Sequence, residues 1–208
     1  MDKLCLGKNH AGQEREHRVG LTRSIVLVGL MGAGKTSVGK RLAAHLGVPF
    51  QDSDDAIREA AGMEISEMFV TLGEPAFRAG ERKVIARLLS GAPLVLATGG
   101  GAFMDDSTRQ IIAKAGVSVF LKAELSTLWA RVKDKPGRPL LDTDAPRETL
   151  AALMAARTPV YDLADVTVQS EPGQPHEVMV LRIVDALAAL PGGDALVPSD
   201  PREVPNAR

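Results

Sequence analysis

Residues 29–36 read Gly29-Leu30-Met31-Gly32-Ala33-Gly34-Lys35-Thr36, and they fill every required position of the phosphate-loop pattern G-x-x-x-x-G-K-[ST]. The preceding Ser24-Ile25-Val26-Leu27-Val28 is a short β-branched apolar run that predicts a buried parallel strand, and Ser37 to Leu46 has the apolar spacing of a helix. The motif therefore has the strand, loop and helix it needs. Glycines let the backbone curl so that the N–H groups of Gly32 to Ser37 and the helix N-terminus face an anionic polyphosphate. In that geometry Lys35 neutralises charge on the β- and γ-phosphates, and the Thr36 hydroxyl ligates Mg²⁺. The bland alternative is a glycine-rich turn between strand and helix.

Working outward, apolar runs at 48–52, 93–97, 117–121 and 165–168 predict four further strands. Helical patterns fall between and after them, near 54–61, 64–90, 105–115, 125–132, 147–163 and 176–190. This β/α alternation predicts a five-stranded parallel sheet covered on both faces, a three-layer α/β/α sandwich. One domain over residues 24–190 is expected, with a flexible tail at 1–23 and a disordered Pro-rich tail at 191–208. The stretch Lys133 to Pro146, KDKPGRPLLDTDAP, is charged and rich in Gly and Pro, which marks a loop that could act as a lid.

A chain of 208 residues with a net charge of −1 and interspersed acids and bases presents no basic face for nucleic acid or for an anionic membrane. The first 23 residues lack the apolar core of a secretory signal, and no apolar run approaches the roughly 20 residues of a membrane span. A soluble, cytoplasmic protein is the expectation. The single Cys5 cannot form an intrachain disulfide and reads as a free thiol, and no His/Cys cluster marks a structural metal.

Two further features lie where parallel strands end and ligands gather. Asp52-Ser53-Asp54 offers two carboxylates that share a direction if strand geometry persists, one for Mg²⁺ through water and one for a substrate hydroxyl. The alternative is that Ser53 or Asp54 caps the helix that follows. Thr98-Gly99-Gly100-Gly101 brings three glycines to the same edge, either as a ligand-facing backbone or as a tight turn. Phe69 and Phe77 have the spacing of core aromatics.

Five segments together resemble shikimate kinase, a family in the nucleoside-monophosphate-kinase branch of P-loop folds. They are GLMGAGKTSVGKRLA at 29–43, FQDSD at 50–54, GEPAFR at 73–78 with ERKV at 81–84, ATGGGA at 97–102, and GRPLL at 137–141 with ARTPVY at 156–161. The resemblance implies an ATP-dependent kinase that phosphorylates the 3-hydroxyl of shikimate with Mg²⁺, working as a monomer. It implies that Arg78 and Arg157 hold the substrate carboxylate, a pairing suited to planar guanidinium groups. It further implies that Asp54 binds the reacting hydroxyls, that Gly99, Gly100 and Gly101 bound the ring, and that Asp52 with Thr36 serves Mg²⁺. In the lid it implies that Arg138 folds over the ATP phosphates, and beside the nucleotide it implies contacts from Arg131 and Gln174. Lys35, Asp54 and Arg138 are thereby the catalytic set. Two rivals remain on sequence grounds: a gluconate-type kinase sharing loop and lid, and a nucleotide-dependent switch. The switch reading lacks an N-K-x-D guanine motif, and its one D-x-x-G near the site, Asp134 to Gly137, falls inside the lid.

Overall fold

After a short strand β1 (Val19–Leu21), the five apolar runs become strands β2 (Ser24–Val28), β3 (Phe50–Asp52), β4 (Val95–Ala97), β5 (Gly116–Ala123) and β6 (Val166–Ser170). These five form one sheet, with spatial order β3-β4-β2-β5-β6 and every neighbour parallel. The computed structural model describes residues 19–135, 139–191 and 196–198. Residues 25–28 are wholly buried and β5 is buried along nearly its full length, as a strand covered on both faces must be.

Seven helices among the described residues connect and cover these strands: α1 (Lys35–Leu46), α2 (Ser53–Ala61), α3 (Ile65–Leu89), α4 (Asp106–Ala115), α5 (Leu125–Val132), α6 (Pro146–Tyr161) and α7 (His176–Ala188). Right-handed crossovers put α1 on one face, where it packs with α7, and α3 with α4 on the other. The chain leaves the central strand β2 toward β3 on one side, and β5 lies on its other side. The crevice above the end of β2 is thus a topological switch point.

Register aligns the ends of the strands. Leu27 pairs with Ala97 and Val119, and Asp52 pairs with Ala97, so these residues form one row. Gly29, Asp54 and Gly99 each follow that row by two residues. The phosphate loop, the carboxylates and the triple glycine therefore emerge side by side.

Three local features differ from the sequence expectation. β3 begins at Phe50 and not at Val48. α3 is broken at Gly73, whose φ of 78° and ψ of 162° are not helical; Pro75 then sits in the first turn of the second segment, where a missing N–H costs nothing. Val19–Leu21, in the expected N-terminal tail, pairs antiparallel with Leu196–Pro198 in the expected disordered C-terminal tail. The rest of both tails lies outside the described residues.

Candidate active site

The phosphate loop is built by backbone conformation. Gly29, Gly32 and Gly34 have φ of 137°, 83° and 97°, values that a side chain would strain. Crowding adds to this at Gly32, where a Cβ would stand 2.7 Å from the Val132 side chain. Leu30 and Ala33 are buried and root the loop in the main core. Lys35 Nζ donates to the carbonyls of Gly29 at 2.7 Å and Leu30 at 3.0 Å, which folds its ammonium back across the loop mouth.

Thr36 Oγ1 donates to Asp52 Oδ2 at 2.8 Å. The other oxygen of Asp52 accepts from Asp54 N at 3.0 Å, so Asp52 is the N-cap of α2. This corrects the capping alternative, which placed that role on Ser53 or Asp54. Strand geometry ends at Asp52, so the shared direction of the two carboxylates does not come from β spacing; the first turn of α2 carries Asp54. Ser53 is fully buried, and its hydroxyl accepts from Gly99 N at 3.0 Å, tying α2 to the glycine turn. Burial, and next the charge of Asp52, raise the Asp54 pKa above the ordinary carboxylate value, while Lys35 opposes the shift.

The three glycines of the turn all lack a positive φ, and space is what demands Gly99 and Gly101, whereas a Cβ on Gly100 would meet nothing closer than 3.7 Å. A Cβ on Gly99 would lie 2.5 Å from Asp54 Oδ1 and 3.2 Å from Glu81 Oε1, and one on Gly101 would run into the Arg78 guanidinium, 2.9 Å from Cζ. Gly99 spends its N–H on Ser53, whereas the N–H groups of Gly100 and Gly101 meet no acceptor among the described residues.

Arg78 and Arg157 flank this turn. Arg157 Nη1 donates to the Gly100 carbonyl at 3.0 Å. Arg78 donates from Nη1 to Glu81 Oε2 at 2.7 Å, and from Nε and Nη2 to Glu74 Oε1 at 3.3 and 3.2 Å. Its guanidinium lies 5.2 Å from the Phe77 ring centroid and 5.7 Å from that of Phe69, near enough for a cation–π contribution. Phe77 is buried with Ile57 and Met68 in a small apolar cluster separate from the main core, and Phe69 packs on it. Burial works against the Arg78 charge, but Glu81 and Glu74 outweigh it and raise its pKa. Glu81 is itself 2% exposed, and burial raises its pKa even against the pull of Arg78. Glu81 falls within the ERKV segment, where sequence assigns it no role; its i, i+3 spacing from Arg78 is the signal that marks it.

On the far side of the loop, Arg131, Gln174 and Ser170 line a small cleft with Ala33, Gly34 and Val38. Arg131 donates to the Gly32 carbonyl and to Ser170 Oγ, each at 3.2 Å. Gln174 Oε1 accepts from Glu171 N at 3.1 Å, which leaves its buried Nε2 without a partner among the described residues and facing this cleft. Arg138 lies outside the described residues. Pro139–Leu141 of the expected lid form a single 3₁₀ turn.

A family model described as shikimate kinase matches residues 31–188. A shikimate kinase of Cereibacter sphaeroides is 54% identical over 171 residues, covering 82% of this chain and 85% of that protein. One from Ruegeria pomeroyi is 55% identical over 168 residues, covering 81% and 86%. Among solved structures, a shikimate kinase from Acinetobacter baumannii in complex with shikimate aligns with a TM-score of 0.74 at 36% identity, over 78% of this chain and 91% of that one. A gluconokinase from Sinorhizobium meliloti aligns with a TM-score of 0.57 at 22% identity, over 81% and 93%, which is a likeness of fold alone.

Proposed function

The chain belongs to the shikimate kinase family, and we propose that the crevice between the phosphate loop and the triple-glycine turn is where it carries out that reaction. It is an ATP-dependent kinase that moves the γ-phosphoryl group of ATP to the 3-hydroxyl of shikimate, giving shikimate 3-phosphate and ADP. The observation that carries the assignment of residues is the convergence of Arg78 and Arg157 on one glycine turn beside Asp54. Two guanidinium groups suit a carboxylate and have no use for a neutral polyol.

In this reading ATP lies along the loop, its phosphates against the N–H groups of Gly32 to Ser37 and its base in the cleft of Arg131 and Gln174. Lys35 stands where charge on the transferred group develops, and its positive charge lowers the barrier electrostatically. Arg78 and Arg157 grip the shikimate carboxylate. Asp54 then meets the ring hydroxyls, and its raised pKa is that of a group able to take a proton. Arg138 would close the site from the lid, excluding water that would otherwise waste ATP.

Thr36 and Asp52 present hard oxygen donors side by side, a donor set that fits Mg²⁺. No cluster of three or more His, Cys, Asp or Glu among the described residues builds an all-protein metal cage, which suits an ion shared with nucleotide phosphates. Mg²⁺ bound there supplies charge compensation for the polyphosphate. Among the described residues no helix is long and apolar enough to cross a membrane, and we keep the reading of a monomeric cytoplasmic enzyme whose two substrates meet within one chain.

The test is Mg-ATP-dependent ADP release with shikimate, with gluconate and with no acceptor, using Asp54→Asn and Arg157→Ala as controls. Shikimate-dependent release abolished by both changes is expected. Release driven by gluconate, or shikimate turnover that survives both changes, would overturn the assignment.

A further inference from the structure

Arg157 and Tyr161 stand one helical turn apart at the C-terminal end of α6, a spacing that puts both on one face. Both donate to the same acceptor, the Gly100 carbonyl oxygen. The Tyr161 ring is wholly buried, stacked 5.0 Å from Phe120 and 6.4 Å from Phe103 between ring centroids. Burial raises its pKa to about 12, so the hydroxyl is a neutral donor at any working pH. None of the roles assigned above uses it.

A carbonyl oxygen has two lone pairs, and two donors fill them. That pins the peptide joining Gly100 to Gly101. In a trans peptide the carbonyl and the following N–H point in opposite directions, so the Gly101 N–H is turned away from α6. Meanwhile Arg157 spends one N–H on the same oxygen, its guanidinium also meets the Tyr161 hydroxyl, and its remaining N–H groups are left to a ligand.

We infer that Tyr161 is a positioning residue for the acceptor: its hydroxyl clamps the Gly100 carbonyl, so that the open N–H groups of the glycine turn and the Arg157 guanidinium meet the substrate in one fixed geometry. The inference rests on the reading that Arg157 and this turn bind shikimate. Because the stacked ring anchors the hydroxyl to β5 and to the turn after Gly101, the clamp ties substrate geometry to the sheet and not to the lid.

Tyr161→Phe keeps the stacked ring and deletes the clamp. Its expected effect is a shikimate KM raised about fivefold, the worth of one neutral hydrogen bond, with kcat within about twofold and the ATP KM unchanged. Since both residues act through one oxygen, the change should cost less in an Arg157→Lys background than alone. An unchanged shikimate KM, or a rise in both KM values together with a lowered Tm, overturns the clamp. The parallel Arg157→Lys enzyme separates two failures: if its shikimate KM is also unchanged, the assignment of the acceptor site falls; if only Tyr161→Phe is silent, the clamp alone falls. Tyr161 is the chain's single tyrosine, so 3-fluorotyrosine incorporation gives one ¹⁹F resonance in the otherwise unaltered enzyme. Shikimate should move that resonance and ADP should not; a resonance unmoved by shikimate, or moved equally by ADP, overturns the inference even if Tyr161→Phe fails to fold.

Discussion

The phosphate loop and the acceptor side of the crevice face each other but are held by different means. The loop is consecutive chain, set by three glycines of positive φ and rooted in the main core through Leu30 and Ala33. The acceptor side draws Asp54, Arg78, Glu81, Gly100 and Arg157 from α2, α3, the turn after β4 and α6, and its α2–α3 wall rests on a small cluster of Ile57, Met68 and Phe77. One of its two arginines is already spent on acids, Arg78 on Glu81 and Glu74, while Arg157 meets the Gly100 carbonyl. The nucleotide side is a backbone cradle ready for an anion. On the acceptor side an anion must exchange places with acids the protein brought itself.

The largest break in this comparison is Lys35→Met. Removing a preorganised cation from the transferring phosphoryl group is expected to lower kcat by about 10³-fold. If the two sides are as separate as their supports, shikimate affinity measured by calorimetry stays within about twofold. A parallel collapse of shikimate binding would show that loop and acceptor wall are one unit.

Glu81→Gln tests the self-paired side. Arg78 loses its buried charged partner, and the shikimate KM should rise about tenfold, as the loss of a charge-assisted hydrogen bond predicts. The pH dependence has a definite sign. The folded Glu81 carboxyl binds its proton more tightly than the ordinary value of 4.5, so its contribution to stability is present below that value and is lost as pH climbs through the raised one. Gln carries no such dependence. The Tm of the variant relative to the parent should therefore become more favourable from about pH 4 to about pH 7; a difference that moves the other way would mean that Arg78 holds Glu81 ionised.

What sequence could reveal follows the same division. The loop, its strand and its helix were readable because their determinants are neighbours in the chain, and five strands with intervening helices followed from the period of apolar residues. Arg78 and Arg157 came only with the family resemblance, because nothing local distinguishes a buried guanidinium from a solvated one. Glu81 and Tyr161 fall within the ERKV and ARTPVY segments, but their meaning depends on an ion pair and on a shared carbonyl 61 residues away from Tyr161 in the chain. The triple glycine reads as ligand-facing backbone or as a tight turn, whereas the room at Gly99 and Gly101 is filled by the protein's own Asp54, Glu81 and Arg78. The Gly73 break was signalled by Gly-x-Pro, yet helical periodicity on both sides of it read as one helix.

Glu74→Gln is the smallest and finest test. Of the edges of Arg78, Nη1 is held by Glu81 and the Nη1/Nη2 end abuts Gly101. The remaining edge, Nε with Nη2, suits bidentate capture of a carboxylate, and Glu74, whose side chain is 65% exposed, occupies it. An exposed i, i+4 pair is worth only about 0.3–0.5 kcal/mol, so an arriving carboxylate displaces it at little cost. Neutralising Glu74 should lower the shikimate KM by about twofold, and added salt should shrink the gain because it already screens the parent pair. If the KM rises instead, Glu74 aims Arg78 rather than competing for it, and the acceptor side is as preformed as the loop.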